Sequence, residues 1–314
     1  MINPEWISKR ISWKAGMYLH NHMGFPIAKK KYYGKPIMDI PATAAELYGR
    51  VSAAEPFCAA RIGGNELKAM VSLQKEFKNA SERKLNYDNL RTLAGFFGTM
   101  EDYAKYGRLM EESLQYVDLC GVWFNQMEDY ILKHYGNPEM KYGRLEGLEP
   151  WYCPEKPWTA ALKGKKVCVI HPFAESIIKQ YDKRDSIFPG TEILPEFELR
   201  VVKAVQTMLD EELGRFESWF DALDHMYEEA MKEDFDVALI ACGAYGLPLG
   251  ARLRKAGRCA VHWGGSLQLL FGIMGGRWEN MAELKPYVNE SWTRPAAAEG
   301  LSRGVKDIEN GCYW

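Results

Sequence analysis

The chain has 314 residues, 47% hydrophobic and 26% charged, with 40 Lys and Arg against 42 Asp and Glu for a formal net charge of −2. This composition excludes collagen, low-complexity disorder and a disulfide-dense secreted scaffold, and it allows one large domain or two moderate ones. A total so near zero leaves no basic footprint for nucleic acid, and no apolar run approaches the ~20 residues that span a bilayer.

The first 35 residues carry seven basic side chains (Lys9, Arg10, Lys14, Lys29, Lys30, Lys31, Lys35) and one acidic, Glu5, so this segment holds +6 and the remainder −8. Trp6, Ile7, Trp13, Met17 and Tyr18 recur among them at roughly helical spacing, which marks residues 1–45 as a basic amphipathic segment. Such a segment suits peripheral contact with an anionic membrane, where each Lys or Arg adds about 1 kcal/mol. Packing on the main domain or on a second copy of the chain in a homo-oligomer suits it equally. The start of the chain lacks the charged-then-apolar layout of a signal peptide. Seven cysteines, with no CxxC pair and no zinc-ligand spacing, read as reduced thiols of a cytoplasmic protein working at most at the inner face of the membrane.

Residues 46–314 read as a single α/β domain, because short apolar runs alternate with amphipathic stretches as in a mostly parallel sheet with helices on both faces. The runs predict strands over 57–62, 116–123, 166–170, 197–202, 236–242 and 259–263. Helices are expected over 65–75, in an insertion about 75–115, over 211–233, from Leu247, and over 266–275.

Ligands of open α/β sheets collect outside the carboxyl ends of the strands. Four such ends carry unusual chemistry. Arg61 and Glu66 enclose Gly63, Gly64 and Asn65, offering a cation for phosphate and an oxygen ligand for a divalent metal; an ion pair that merely fixes the turn is the structural alternative. The turn Gly243-Ala244-Tyr245-Gly246 opens a helix and can present backbone N–H groups to phosphate, or serve only tight packing. Its spacing is not GxGxxG, and His262 stands where a ribose-binding acid belongs, so NAD and FAD are not expected. His171 and His262 each end an apolar run as a base, phosphate donor or metal ligand, or as a structural histidine. Ser176 and Arg184 either extend an anion site or lie on the surface. Cys242 reads as a buried thiol rather than a nucleophile. Trp263 and Trp278 suit stacking on a sugar or base, or the core.

The loop Arg61 to Glu66, of the form Arg-x-Gly-x-x-Glu, and the late strand, glycine turn, helix and His-bearing strand over Ala238 to Gly265, then Arg277-Trp278, resemble the GT-D-fold glycosyltransferases. The signature of that family is Arg-x-Gly-Asp-Gly-Glu, whose Asp-x-Glu pair is associated with metal and sugar nucleotide. Arg61, Gly63 and Glu66 match, whereas Gly64 replaces the first acid and Asn65 the second glycine. One carboxylate and an Asn make a weaker Mn²⁺ or Mg²⁺ site than two carboxylates. The resemblance implies a Rossmann-like domain that moves a sugar from a nucleotide-sugar donor to a glycan or lipid-linked glycan in bacterial surface polysaccharide assembly. Arg61 and the 243–246 amides would hold the diphosphate, Glu66 would act at the leaving nucleotide, with or without a metal, and His262 or His171 would bind the sugar or act as base. A transferase of pyruvyl, acetyl or phosphoryl groups, and a non-catalytic scaffold of a membrane-associated polysaccharide complex, remain as alternatives.

Overall fold

The computed structural model describes residues 3–23, 26–208, 212, 214–300 and 313–314. Among them lie the strands β1 (Lys31–Tyr32), β2 (Lys35–Met38), β3 (Cys58–Ala60), β4 (Leu119–Val122), β5 (Lys141–Arg144), β6 (Lys166–His171), β7 (Glu198–Lys203), β8 (Val237–Ile240) and β9 (Cys259–His262). They form one sheet in the order β1-β2-β5-β4-β3-β9-β8-β6-β7. β1 pairs antiparallel with β2, and every other pairing is parallel. All six apolar runs that predicted strands are strands. β1, β2 and β5 carry no such run.

The helices are α1 (Pro4–Met23), α2 (Ile40–Ala53), α3 (Gly64–Leu73), α4 (Ala80–Ala94), α5 (Met100–Ser113), α6 (Glu128–Tyr135), α7 (Ala174–Tyr181), α8 (Arg184–Ile187), α9 (Trp219–Met231), α10 (Gly246–Lys255) and α11 (Leu267–Leu270). Side-chain caps fix several starts: Asp39 accepts from the Ala42 N–H at 2.9 Å, and Thr99 and Asp102 form a capping box on α5. α9 begins at Trp219 because the Ser218 hydroxyl caps it, accepting from the Asp221 N–H at 3.2 Å; the expected start at Glu211 lies outside the described residues. The helix expected over 266–275 is cut to α11. Gly272 there takes φ +64°, and the Gln268 amide donates to the Ile273 carbonyl at 3.1 Å.

Strand residues alternate between two buried layers. Cys58, Ala60, Cys120, Ile170, Ala238 and Ile240 pack with α3, α4, α5, α6, α9 and α10, while Phe57, Ala59, Val167, Val169 and Val261 pack with α2, α7, α11 and residues 145–162. Each large apolar side chain so buried contributes about 1.5–3 kcal/mol. The neighbouring strands β3 and β9 send the chain to opposite faces, β3 into α3 and β9 into α11. That divergence makes a crevice at the carboxyl edge of the sheet.

Residues 31–38 of the basic segment belong to the sheet, and position 45 falls inside α2. α1 packs on the domain: Trp6 meets Tyr130 edge to face at 5.1 Å, and Lys9 and Lys29 pair with Asp129 at 2.6 and 3.2 Å. Arg10 reaches Glu82 at 3.6 Å, and Lys35 donates to the Met140 carbonyl at 2.9 Å. Along α1, Ile7, Ile11, Tyr18, Leu19 and Met23 are exposed. Among the described residues no helix is long and apolar enough to cross a membrane. The six described cysteines are unpaired, and all but Cys153 are buried; Cys312 lies outside the described residues.

Candidate functional site

A cleft of about 450 Å³ opens at the β3–β9 divergence, ringed by the segments that follow β3, β4, β5, β6, β7, β8 and β9. Its size falls in the usual range of small-molecule sites, about 300–1,000 Å³.

Arg61 follows β3 directly. Its Nε donates to the Trp263 carbonyl at 2.9 Å, and its guanidinium lies 4.9 Å from the ring centre of Trp123, which follows β4. Gly264 makes this placement possible. It takes φ +83°, and the guanidinium occupies the space a Cβ there would fill.

Glu66 sits three residues into α3 from its cap, Gly63, and its carboxylate folds back over that glycine, where a Cβ would collide with it. A carboxylate at a helix start is favoured by the helix dipole. Burial pushes the Glu66 pKa up, opposed by its own backbone N–H and by Arg61. Glu149, in the loop after β5, is also pushed up by burial, opposed by Ser266, by Arg61 and by Trp151, whose Nε1 donates to it at 3.2 Å. One guanidinium therefore acts on two carboxylates of the cleft.

Burial lowers His171 to about 3; burial and the nearby Arg61 charge lower His262 to about 3. Both are neutral at pH 7. His171 Nδ1 accepts from the Phe173 N–H at 2.9 Å, which leaves its proton on Nε2. The His262 ring lies on Gly246, filling the place of a side chain there.

Four residues lining the cleft carry buried polar atoms without a partner among the described residues: His262 Nδ1, Trp263 Nε1, Gln268 Oε1 and Trp314 Nε1. A buried group left unpaired costs about 1–3 kcal/mol. A hydroxyl-rich ligand would supply both the donors and the acceptors these atoms lack.

Arg61, Gly63, Gly64, Asn65, Glu66, His171, Gly243 and His262 thus come together in one place. Five predicted site residues, Ser176, Arg184, Ala244, Tyr245 and Gly246, do not join them. The Ser176 hydroxyl donates to the Glu299 carboxylate, which also accepts from the Glu175 N–H at 2.7 Å, so an internal acid already occupies the start of α7. Arg184 lies outside the cleft, near Asp185 at 3.8 Å and Glu196 at 3.6 Å. Ala244 and Tyr245 are buried, and the Tyr245 ring stacks on Trp219 at 4.4 Å. Gly243 takes φ +57° with the Ala94 carbonyl packed against it. Packing accounts for this turn, and a phosphate cradle is not needed to explain its glycines.

Glu149, Trp123 and Gln268 went unrecognised in the sequence. Glu149 was traceable in principle, since it too follows the carboxyl end of a strand, but Lys141-Tyr-Gly-Arg144 has no apolar run to announce β5. Among the described residues no three His, Cys, Asp or Glu side chains gather as a metal-holding group. The cleft's carboxylates are Glu66 and Glu149, and the side-chain amides of Asn65, Gln206 and Gln268 also line it. No protein family, curated protein or solved structure matches this chain.

Proposed function

We propose that the protein is a GT-D-type glycosyltransferase that moves a sugar from a nucleoside-diphosphate donor to a glycan. The observation that carries this reading is the meeting of Arg61 and Glu66, the matching residues of the Arg-x-Gly-x-x-Glu loop, with unpaired groups of His262, Trp263 and Gln268 in one switch-point cleft.

Each part of the cleft suits a part of such a donor. Arg61 is fixed through Nε, so its terminal N–H groups can meet the diphosphate without reorganising, and preorganised charge of this kind contributes several kcal/mol as a leaving group departs. His262 Nδ1 and Gln268 Oε1 fit sugar hydroxyls, and neutral His171 donates through Nε2. A divalent ion shared with substrate phosphates uses only one or two protein carboxylates; Glu66 would supply one, and the ion would add Lewis-acid stabilisation of the leaving group.

Turnover of a panel of UDP- and GDP-sugars with Mn²⁺, with Mg²⁺ and with a chelator tests the proposal. One donor should be hydrolysed, and Arg61→Ala should lower kcat by about 10²–10³. Failure of every donor under all three conditions would contradict it.

A further inference from the structure

A second cleft, of about 550 Å³, adjoins the first and shares five lining residues with it: Trp123, Leu145, Glu149, Arg277 and Trp278. Its own walls include Tyr152 and Asn280. Aromatic faces beside amide and carboxylate groups make a surface on which sugar rings stack while their hydroxyls hydrogen-bond. Two carboxylates line this second cleft, and they differ. Glu146 is held by Arg144, whose Nε donates to it at 3.1 Å, and it belongs to the second cleft only. Glu149 borders both.

We infer that the second cleft binds the acceptor saccharide and that Glu149, on the wall between the clefts, is the catalytic base. This rests on the glycosyltransferase reading. An acceptor hydroxyl gives its proton to the Glu149 carboxylate as its oxygen bonds to the anomeric carbon. The bond from that carbon to the phosphate oxygen breaks, and its electron pair leaves on the nucleoside diphosphate. The histidines are less suited to this step, because burial holds both far below neutrality as bases, whereas burial raises the basicity of Glu149. Glu149 is held for the role, with Trp151 Nε1 donating to one of its oxygens.

The test uses the full-length protein, its hydrolysed donor, and glucose, galactose, N-acetylglucosamine and their β-1,4-linked dimers as acceptors. Glu149→Gln should lower kcat for transfer by about 10²–10⁴ while the Kd for UDP or GDP stays within about twofold. Tyr152→Ala, confined to the second cleft, should raise the acceptor KM about tenfold, the worth of one aromatic contact. Transfer by Glu149→Gln at the wild-type rate, or an unchanged acceptor KM in Tyr152→Ala, would overturn the inference. So would a wild-type protein that hydrolyses donor yet neither transfers to these sugars nor changes its tryptophan fluorescence with them. Loss of donor hydrolysis in the wild type would instead sink the glycosyltransferase reading itself.

Discussion

Gly264 decides where the charge of the cleft sits. Its left-handed backbone and missing side chain let the Arg61 guanidinium lie across it, bonded to Trp263 and facing Trp123. Gly257 supplies the control, since it has nearly the same backbone, φ +80°, but open space around it. Alanine at either position should cost about 1–2 kcal/mol for the left-handed conformation. Gly264→Ala should cost more than Gly257→Ala in denaturant titrations, and it alone should alter tryptophan emission, because it evicts Arg61. Equal losses would show that the guanidinium is not held there. The residues that create the cleft's chemistry were legible one by one, as Arg61, Glu66, His171 and His262 all follow apolar runs. Which of them would meet was not. Ser176 has the same local credentials, yet Glu299, far along the chain, claims its hydroxyl.

At the scale of elements, the loop between β4 and α6 turns on Glu128. Its carboxylate is fully buried and accepts from the Phe124 N–H at 2.8 Å, the Trp123 N–H at 3.1 Å and the Tyr32 hydroxyl at 2.8 Å. These bonds hold Phe124 at φ +62°, a conformation that costs a non-glycine residue about 1–3 kcal/mol, and they set the backbone of Trp123, on whose ring Arg61 rests. Burial raises the Glu128 pKa to about 7 from 4.5. Between these values the folded protein holds a proton that the unfolded chain releases. The cost of a buried charge is therefore fully felt above pH 7 and relieved as pH falls. The stability of the wild type relative to Glu128→Gln should rise by about 2 kcal/mol from pH 8 to pH 5.5 in paired denaturant titrations. A constant or shrinking difference would contradict this. The elements themselves were legible wherever burial on both faces demanded apolar runs, as in β6 (KVCVIH) and β8 (VALI). β2 (KPIM) and β5 (KYGR) lie toward the β1 edge, where solvent and α2 allow polar residues, and pairing rather than pattern makes them strands.

Over the whole molecule the net charge of −2 divides between two parts that the fold joins. Of the seven basic residues before position 36, Lys9, Arg10, Lys29 and Lys35 are engaged within the chain, which binds α1 and the first strands to the domain. Lys14, Lys30 and Lys31 are exposed, as are Ile11 and Tyr18, which leaves fewer basic side chains for an anionic surface than the sequence count suggests. On the proposed reading, the positive charge that would meet a diphosphate is not in this segment but includes Arg61, at the β3–β9 divergence. Titration calorimetry of UDP and of GDP into the full-length protein and into Arg61→Ala measures this directly. One nucleotide should bind the wild type in the micromolar range, and the substitution should weaken it about tenfold or more, the loss of a charge-assisted contact. Absence of binding by both nucleotides, or equal affinity in Arg61→Ala, would contradict a nucleotide-sugar site in this cleft.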